Sequence, residues 1–379
     1  MIDIEISNRI KQVQQGLSKL NLDFYIPPDP NEIYYLTNFT FFIHERILML
    51  IILANGKLKC VTAKIEELNF KRNSRGDIEI ITYKAFPAAS GNRWSDIVNE
   101  IVGIDAQCGV CPEFLISLCN QLTFKASVCG VVEEIRMIKS LFEINQIKCT
   151  SAIISDAHKK LLNLIPDKLT IAEMYAQISK YCMQRIFTDI PDLKLMTTNI
   201  DSVIVPDIYS DVPHDFDNAL HKITSNGPHT TIITAKINGY NAEVERTFFV
   251  NKVPEGHIRY FNDMLEARDL AFNLLKPGAI MSDIDKGVND FLKKRGHEHH
   301  LLHRTGHSFG VTNHKAPFLA EGYEEVVMPN MLFSIELGIY IPDVGGFRFS
   351  DTVLVTDTGN TCLTQAPTTL DDLLIKNIF

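Results

Sequence analysis

Six of the chain's twelve histidines fall in one stretch, HEHHLLHRTGHSFGVTNH, from His297 to His314. Imidazole titrates near neutrality and ligates transition metals, so a cluster of this kind points to proton transfer or metal binding. His297, His299 and His300 stand together among polar residues and read as part of a solvated loop with no role. His303, His307 and His314 lie around Gly306 and Gly310, which permit close backbone approach. The four-residue spacing of His303 and His307 occurs on zinc-binding helices. The two glycines and the missing catalytic Glu argue against such a helix here.

Glutamates supply the acidic partners. In TTIITAKINGYNAEVERTFFV, Thr230 to Val250, Asn238-Gly239 is a type I′ turn signal between two β-rich runs. A two-residue loop fixes the register, pairing Ile237 with Tyr240, Thr234 with Glu243 and Ile232 with Glu245. Side chains alternate along a strand, so Ile232, Thr234, Glu243 and Glu245 share one face. Either that face meets solvent and the other is core, or two carboxylates are buried and need partners. A third carboxylate, Glu336, interrupts the apolar run Met328 to Tyr340 and shares a face with Ser334. In GGFRFSDTVLV, Gly345 to Val355, Arg348, Ser350 and Thr352 share a face and Asp351 takes the other. Single polar groups set repeatedly into apolar strands line a cavity, or else mark an edge strand with one wet face.

The elements that position these residues follow from the rest of the chain. Its 379 residues are enough for two domains, and 45% apolar with 22% charged residues is a globular composition. A net charge of −9 disfavours nucleic acid as a partner. No apolar run approaches the roughly 18 residues that cross a bilayer. Asp3 and Glu5 stand where a signal peptide would be basic and then apolar, so a cytoplasmic protein is expected. Eight dispersed cysteines do not make a disulfide framework. Cys108 and Cys111 form a lone CxxC and are expected to be buried structural thiols.

Residues 1–128 read as a smaller α/β domain. A helix carrying Ile10, Val13, Leu17 and Leu20 ends before Pro27-Pro28. Strands are expected at Ile33–Leu36, Ile47–Ala54, Lys57–Thr62 and Ile78–Tyr83, with a hairpin turn at Asn55-Gly56 and helices at Ala63–Phe70 and Trp94–Val102. Residues 129–379 read as α+β. A long amphipathic helix runs from Leu141 to Leu162, its apolar stripe interrupted by Ser151 and His158. Further helices are expected after a Thr170–Glu173 capping box, from Ile258 to Leu275, and after a cap formed by Ser282 with Asp285. Strands are expected at His229–Ile237, Tyr240–Val250, Met331–Tyr340 and Phe347–Val355.

Taken in order, Glu245-Arg-Thr247, the GHSFG run of Gly306–Gly310 with His314, MLFSIE from Met331 to Glu336, and Arg348 to Asp351 resemble the pita-bread hydrolases. That family includes Xaa-Pro aminopeptidases, Xaa-Pro dipeptidases and creatinase. The likeness runs from about Ile135 to the C-terminus. It extends more loosely to the N-terminal domain through Tyr35–Phe39 and Glu45-Arg46. It implies a pita-bread catalytic domain behind a smaller α/β domain, and a homodimer. Family peptidases hold two metal ions with Asp, Asp, His, Glu and Glu. Those positions fall here on Ile232, Glu243, His307, Glu336 and Ser350. Isoleucine cannot ligate and serine is a poor, neutral ligand, so no dinuclear centre is expected.

The resemblance is closest to the metal-free creatinase branch. It aligns the catalytic His of that branch with His214, its carboxylate pair with Glu245 and Glu336, and a substrate-binding arginine supplied by the partner subunit with Arg46. A second substrate-binding arginine falls near Phe318, a His of the final motif falls on Ser350, and His303 resembles a substrate-site His of the peptidases. The implied activity is hydrolysis of a C–N bond in a small molecule or dipeptide, without a cofactor. A cationic or donor head would be held by Glu245, Glu336 and Glu243. His214 would shuttle a proton, and His307 and His314, drawn toward the protonated form, would stabilise the oxyanion. The alternatives are an Xaa-Pro dipeptidase with one manganese, zinc or cobalt ion on Glu243, His307 and Glu336, and a silent homologue that binds a small ligand.

Overall fold

A computed structural model describes residues 2–27, 29–41, 45–84, 87–217 and 219–376. The chain divides into two compact units, Met1–Arg136 and Met137–Phe379. No helix among the described residues is long and apolar enough to cross a membrane.

The N-terminal unit is built on a six-stranded mixed sheet. Its order is Ile78–Tyr83, Leu58–Ala63, Met49–Leu53, Phe24–Ile26, Cys108–Val110 and Ala126–Val128. Asn55-Gly56 closes the expected antiparallel hairpin, in which Leu50 faces Cys60. The strand expected at Ile33–Leu36 is instead part of a helix, Pro30–Thr37. Asp29 caps it by accepting from the Glu32 amide, and Pro30 stands at the first helical position. These local start signals override the β-propensity of Ile33, Tyr34 and Tyr35. Cys108 and Cys111 are both buried, and burial pushes each thiol up to about 12, as inert core thiols require.

The larger unit centres on a nine-stranded sheet. Its path runs Lys315–Leu319, Gly306–Ser308, Leu332–Ile341, Gly345–Val355, Tyr240–Val250, His229–Ile237 and Asn199–Val205. The hairpin has the register read from its turn: Ile237 faces Tyr240, Thr234 faces Glu243 and Ile232 faces Glu245. Both turn residues have positive φ, 46° at Asn238 and 83° at Gly239, as the type I′ turn demands. The helix Leu141–Leu164 packs on this hairpin and buries Ile144, Ile147, Ile154 and Leu161. His158 is buried with that stripe because its Nε2 bonds the Thr231 hydroxyl at 2.8 Å. Thr170 and Glu173 form the expected capping box at the start of the helix Ile171–Asp189.

One expected cap is not made. The helix Met281–Lys294 begins a residue before Ser282, and Ile280 caps it without a side-chain bond. Asp285 looks away from its own helix. Its two oxygens accept from the Thr305 amide at 2.8 Å and the Glu321 amide at 3.0 Å. Two orphan backbone donors outside the helix claim a carboxylate that could satisfy one donor within it. His297 also departs from expectation. It is buried, with Nε2 2.8 Å from Asp263 Oδ2, rather than solvated.

Candidate active site

Strand register assembles the site. One row across the sheet reads Glu336, Ser350, Glu245, Ile232, Val203, each facing the next on the neighbouring strand. His307 faces Ser334 and Phe318 on its two sides. The close approach of the Gly306–Ser308 strand to its neighbour requires Gly306, where a Cβ would stand 2.2 Å from the Ser334 carbonyl oxygen. Glu243, Glu245, Glu336, His307, His303 and Ser350 therefore gather on one buried or half-buried face, with His314 at its exposed margin.

Each carboxylate has partners. Glu243 Oε1 accepts from the Ser334 hydroxyl in a short bond and from Ser350 Oγ at 2.8 Å. Ser350 thus binds an internal acid. Arg348 reaches Glu245 through two bonds, Nε to Oε2 at 3.0 Å and Nη2 to Oε1 at 2.8 Å. Nη2 also donates to Glu336 Oε1 at 3.0 Å. The expectation that Glu245 and Glu336 hold a cationic substrate head is corrected on this point: the chain's own guanidinium lies between them. Burial and the neighbouring acids push Glu245 up, against the pull of Arg348. Both its oxygens accept from the guanidinium, so the pair is ionic. Burial also opposes ionisation of Glu336, but His307 and Arg348 outweigh it and hold that carboxyl below its usual range.

His307 Nδ1 donates to the Ser308 carbonyl at 3.2 Å, which turns Nε2 inward. Nε2 is buried and has no hydrogen-bond partner. It lies 3.4 Å from Glu336 Oε2 and 3.7 Å from Glu243 Oε1. Burial disfavours its imidazolium, but Glu243 and Glu336 win and raise it. The ring of His314 stacks on that of His307, with centroids 3.8 Å apart. Not every imidazole is drawn toward protonation as expected. Burial lowers both His303 and His314, with the adjacent His307 adding to the shift at His314. His303 Nδ1 donates to the Arg304 carbonyl at 3.0 Å, so Nε2 accepts from the Tyr340 hydroxyl at 2.9 Å.

The remaining expected site residues are not gathered by such contacts. His214 is exposed on a turn, its ring against Phe216, and makes no hydrogen bond or ion pair among the described residues. Its neighbour Pro213 is tied to the site, since the Pro213 carbonyl accepts from Arg348 Nη1 at 2.8 Å. Arg46 lies in the N-terminal unit, 3.3 Å from Glu45. Phe318 supports Arg304, whose guanidinium carbon is 4.5 Å from the ring centre. The residue that sequence reasoning passed over is Arg348. Its place on the same strand face as Ser350 was the available signal.

The donor set sets limits on metal chemistry. A dinuclear centre does not fit, because Ile232 offers no donor, Ser350 is neutral and a guanidinium already engages Glu245 and Glu336. A single ion does fit. Ligand atoms of Glu243, His307 and His314 all lie within 4.8 Å of one another. The buried, unpartnered His307 Nε2 is the free donor such a site needs.

Comparison with known proteins agrees with this architecture. The model of metallopeptidase family M24 matches residues 145–357, and that of the creatinase/prolidase N-terminal domain matches residues 9–138. The chain is 26% identical over 237 residues to the uncharacterized peptidase YqhT of Bacillus subtilis. It is 29% identical over 236 residues to an Xaa-Pro dipeptidase of Pyrococcus furiosus. Each match covers 62% of this chain, and 64% and 65% of the respective relatives, a little under two thirds. Among solved structures, the prolidase of Pyrococcus horikoshii superposes with a TM-score of 0.83 at 21% identity, covering 96% of this chain and 99% of that one. The N-terminal domain of FACT complex subunit SPT16 from chickpea superposes at 0.80 and 15% identity, covering 98% and 99%. That likeness is of fold alone. With its pita-bread fold and creatinase-type N-terminal domain, this chain belongs to metallopeptidase family M24.

Proposed function

We propose that the chain hydrolyses a C–N bond in a small peptide-like substrate, using one divalent metal ion in place of two. The observation that carries this reading is the orphaned, buried Nε2 of His307, aimed between Glu243 and Glu336 beside the stacked His314. Glu243, His307 and His314 would hold the ion. When bound, it would supply Lewis-acid polarisation of the scissile carbonyl and a more acidic water. The relatives named as Xaa-Pro dipeptidases point to an imide or amide bond next to proline as the substrate class.

The chain's own residues do the rest. Glu336, ionised and anchored through Oε1 by Arg348, keeps Oε2 available to take a proton from water. Ser334 and Ser350 fix Glu243 in one rotamer, so its carboxylate is placed before any ligand arrives. The proton that Glu336 takes from water is the one it would return to the leaving nitrogen, while His314, lowered by burial and by His307, stays neutral as a ligand must. Tyr340 and His303 close one wall through their mutual hydrogen bond.

Elemental analysis and calorimetric titration with manganese and zinc test the reading, together with hydrolysis of Ala-Pro. The expected result is one ion per chain, lost in His307→Ala along with hydrolysis. Two ions per chain, or hydrolysis that survives complete chelation, would overturn it. The second of these outcomes restores the metal-free route. Tight binding of the dipeptide with no turnover under any metal would mark a silent homologue.

A further inference from the structure

The two middle strands of the larger sheet, Tyr240–Val250 and Gly345–Val355, share a ladder of only three pairs: Phe349 with Arg246, Ser350 with Glu245 and Asp351 with Val244. On the face away from the site, Arg246 Nη1 donates to the carbonyls of Glu245 and Ser350, at 2.7 and 2.8 Å. On either side of the ladder a buried threonine hydroxyl stands between the strands. Thr352 Oγ1 accepts from the Glu243 amide at 3.1 Å and donates to the Glu243 carbonyl at 3.0 Å. Thr247 Oγ1 accepts from the Arg348 amide at 2.7 Å and donates to the Arg348 carbonyl at 3.2 Å. The backbone of Thr352 has turned elsewhere. Its amide donates to Thr364 Oγ1 at 3.2 Å and its carbonyl accepts from the Leu363 amide at 2.8 Å.

A hydroxyl both donates and accepts, so one threonine satisfies the amide and the carbonyl of the residue it faces. A direct ladder draws neighbouring strands to about 4.8 Å, and an interposed hydroxyl holds them wider. The branched Cβ restricts the rotamer and so the length of the bridge. The peptide groups before and after Glu243 are thereby tied to one atom, while Ser334 and Ser350 hold its carboxylate. We propose that Thr352 is a positioning residue for the metal ion, setting the backbone of Glu243 where its carboxylate meets His307 and His314. Thr247 does the same for Arg348, which takes no part in holding the ion. The inference rests on the single-ion reading and deepens it.

The test is calorimetric titration with manganese of wild type, Thr352→Val, Thr352→Ser and Thr247→Val, with urea unfolding of each. Valine keeps the shape and removes the bridge, whereas serine keeps the hydroxyl. Both valine variants should lose stability, because each strands a buried amide and carbonyl. Only Thr352→Val should weaken the ion, by about 10- to 100-fold at one ion per chain, and Thr352→Ser should recover most of that affinity. Thr352→Cys, with its weak donor and acceptor, replaces the valine variant if that does not fold. Unchanged affinity in the variant without the hydroxyl overturns the proposal, as does an equal loss in Thr247→Val, which would reduce both threonines to structural supports. If wild type takes up no ion, the single-ion reading falls, and amide hydrogen exchange decides for Thr352. Faster exchange of the Glu243 amide in Thr352→Val, with that of Arg348 unchanged, supports the bridge. Equal protection of Glu243 in wild type and variant refutes it.

Discussion

Arg348 is the residue on which the site depends. Its side chain is 5% exposed and bonds two glutamates on two other strands. Removing it leaves Glu245 in the interior without a counter-charge and Glu336 with His307 alone. Arg348→Met should lower the stability of the C-terminal unit by about 3–5 kcal/mol in urea unfolding. Adding Glu245→Gln should recover part of the loss, because one of the stranded charges is then gone. A double mutant no more stable than Arg348→Met would show that the ion pair is not the source. A charge-preserving Arg348→Lys is not a mild change here, since an ammonium cannot make the two-pronged contact to Glu245.

At the scale of elements, Asp285 holds the hairpin that carries His307 and His314. It grips the Thr305 amide just before that hairpin and the Glu321 amide just after it. Asp285→Ala leaves both amides unsatisfied and should cost about 2 kcal/mol or more. It should also weaken ion binding by about tenfold at unchanged stoichiometry, because the ligands stay but their support loosens. Calorimetry on the folded variant reads both effects. The sequence carries some elements openly and hides others. The Asn238-Gly239 turn fixes its own register, so turn chemistry and strand alternation alone put Glu243 and Glu245 on one face. The helix at Pro30–Thr37 was hidden because an Asp-Pro start outweighs a run of strand formers. The burial of His297 was equally hidden, since Asp263 reaches it from another helix. Arg348 could be assigned to a face, but its pairing depends on which strands lie alongside, and alternation does not encode that.

At the scale of the molecule, the two units should respond to pH in opposite directions. In the N-terminal unit, Tyr25 donates to Glu32 Oε2 at 2.8 Å, and burial raises the Glu32 carboxyl to about 7. The unfolded chain releases that proton from about pH 4.5, so this unit loses stability as pH rises from about 4.5 to 7. In the C-terminal unit, burial lowers His158 to about 3 and His229 to about 4. Their unfolded forms take up protons below about pH 6.5, so this unit gains stability as pH rises from about 4 to 6.5, by about 1.4 kcal/mol per pH unit for each histidine. Trp94, the single tryptophan, is buried in the N-terminal unit and reports it alone. Between pH 5 and 7 its fluorescence midpoint in urea should fall while the circular dichroism transition of the other unit rises. Glu32→Gln should flatten the first trend. Parallel shifts of both signals would contradict the assignment.

The pairing of Ile232 with Glu245 across the hairpin also limits how the site can be changed. An aspartate placed at position 232 would stand directly opposite Glu245, and like charges so placed repel. Removing Glu245 first would strand half of the Arg348 guanidinium. Neither substitution alone therefore leads toward a two-ion centre without a loss of stability. The register of a single turn thus ties the fate of position 232 to that of Arg348, two strands away.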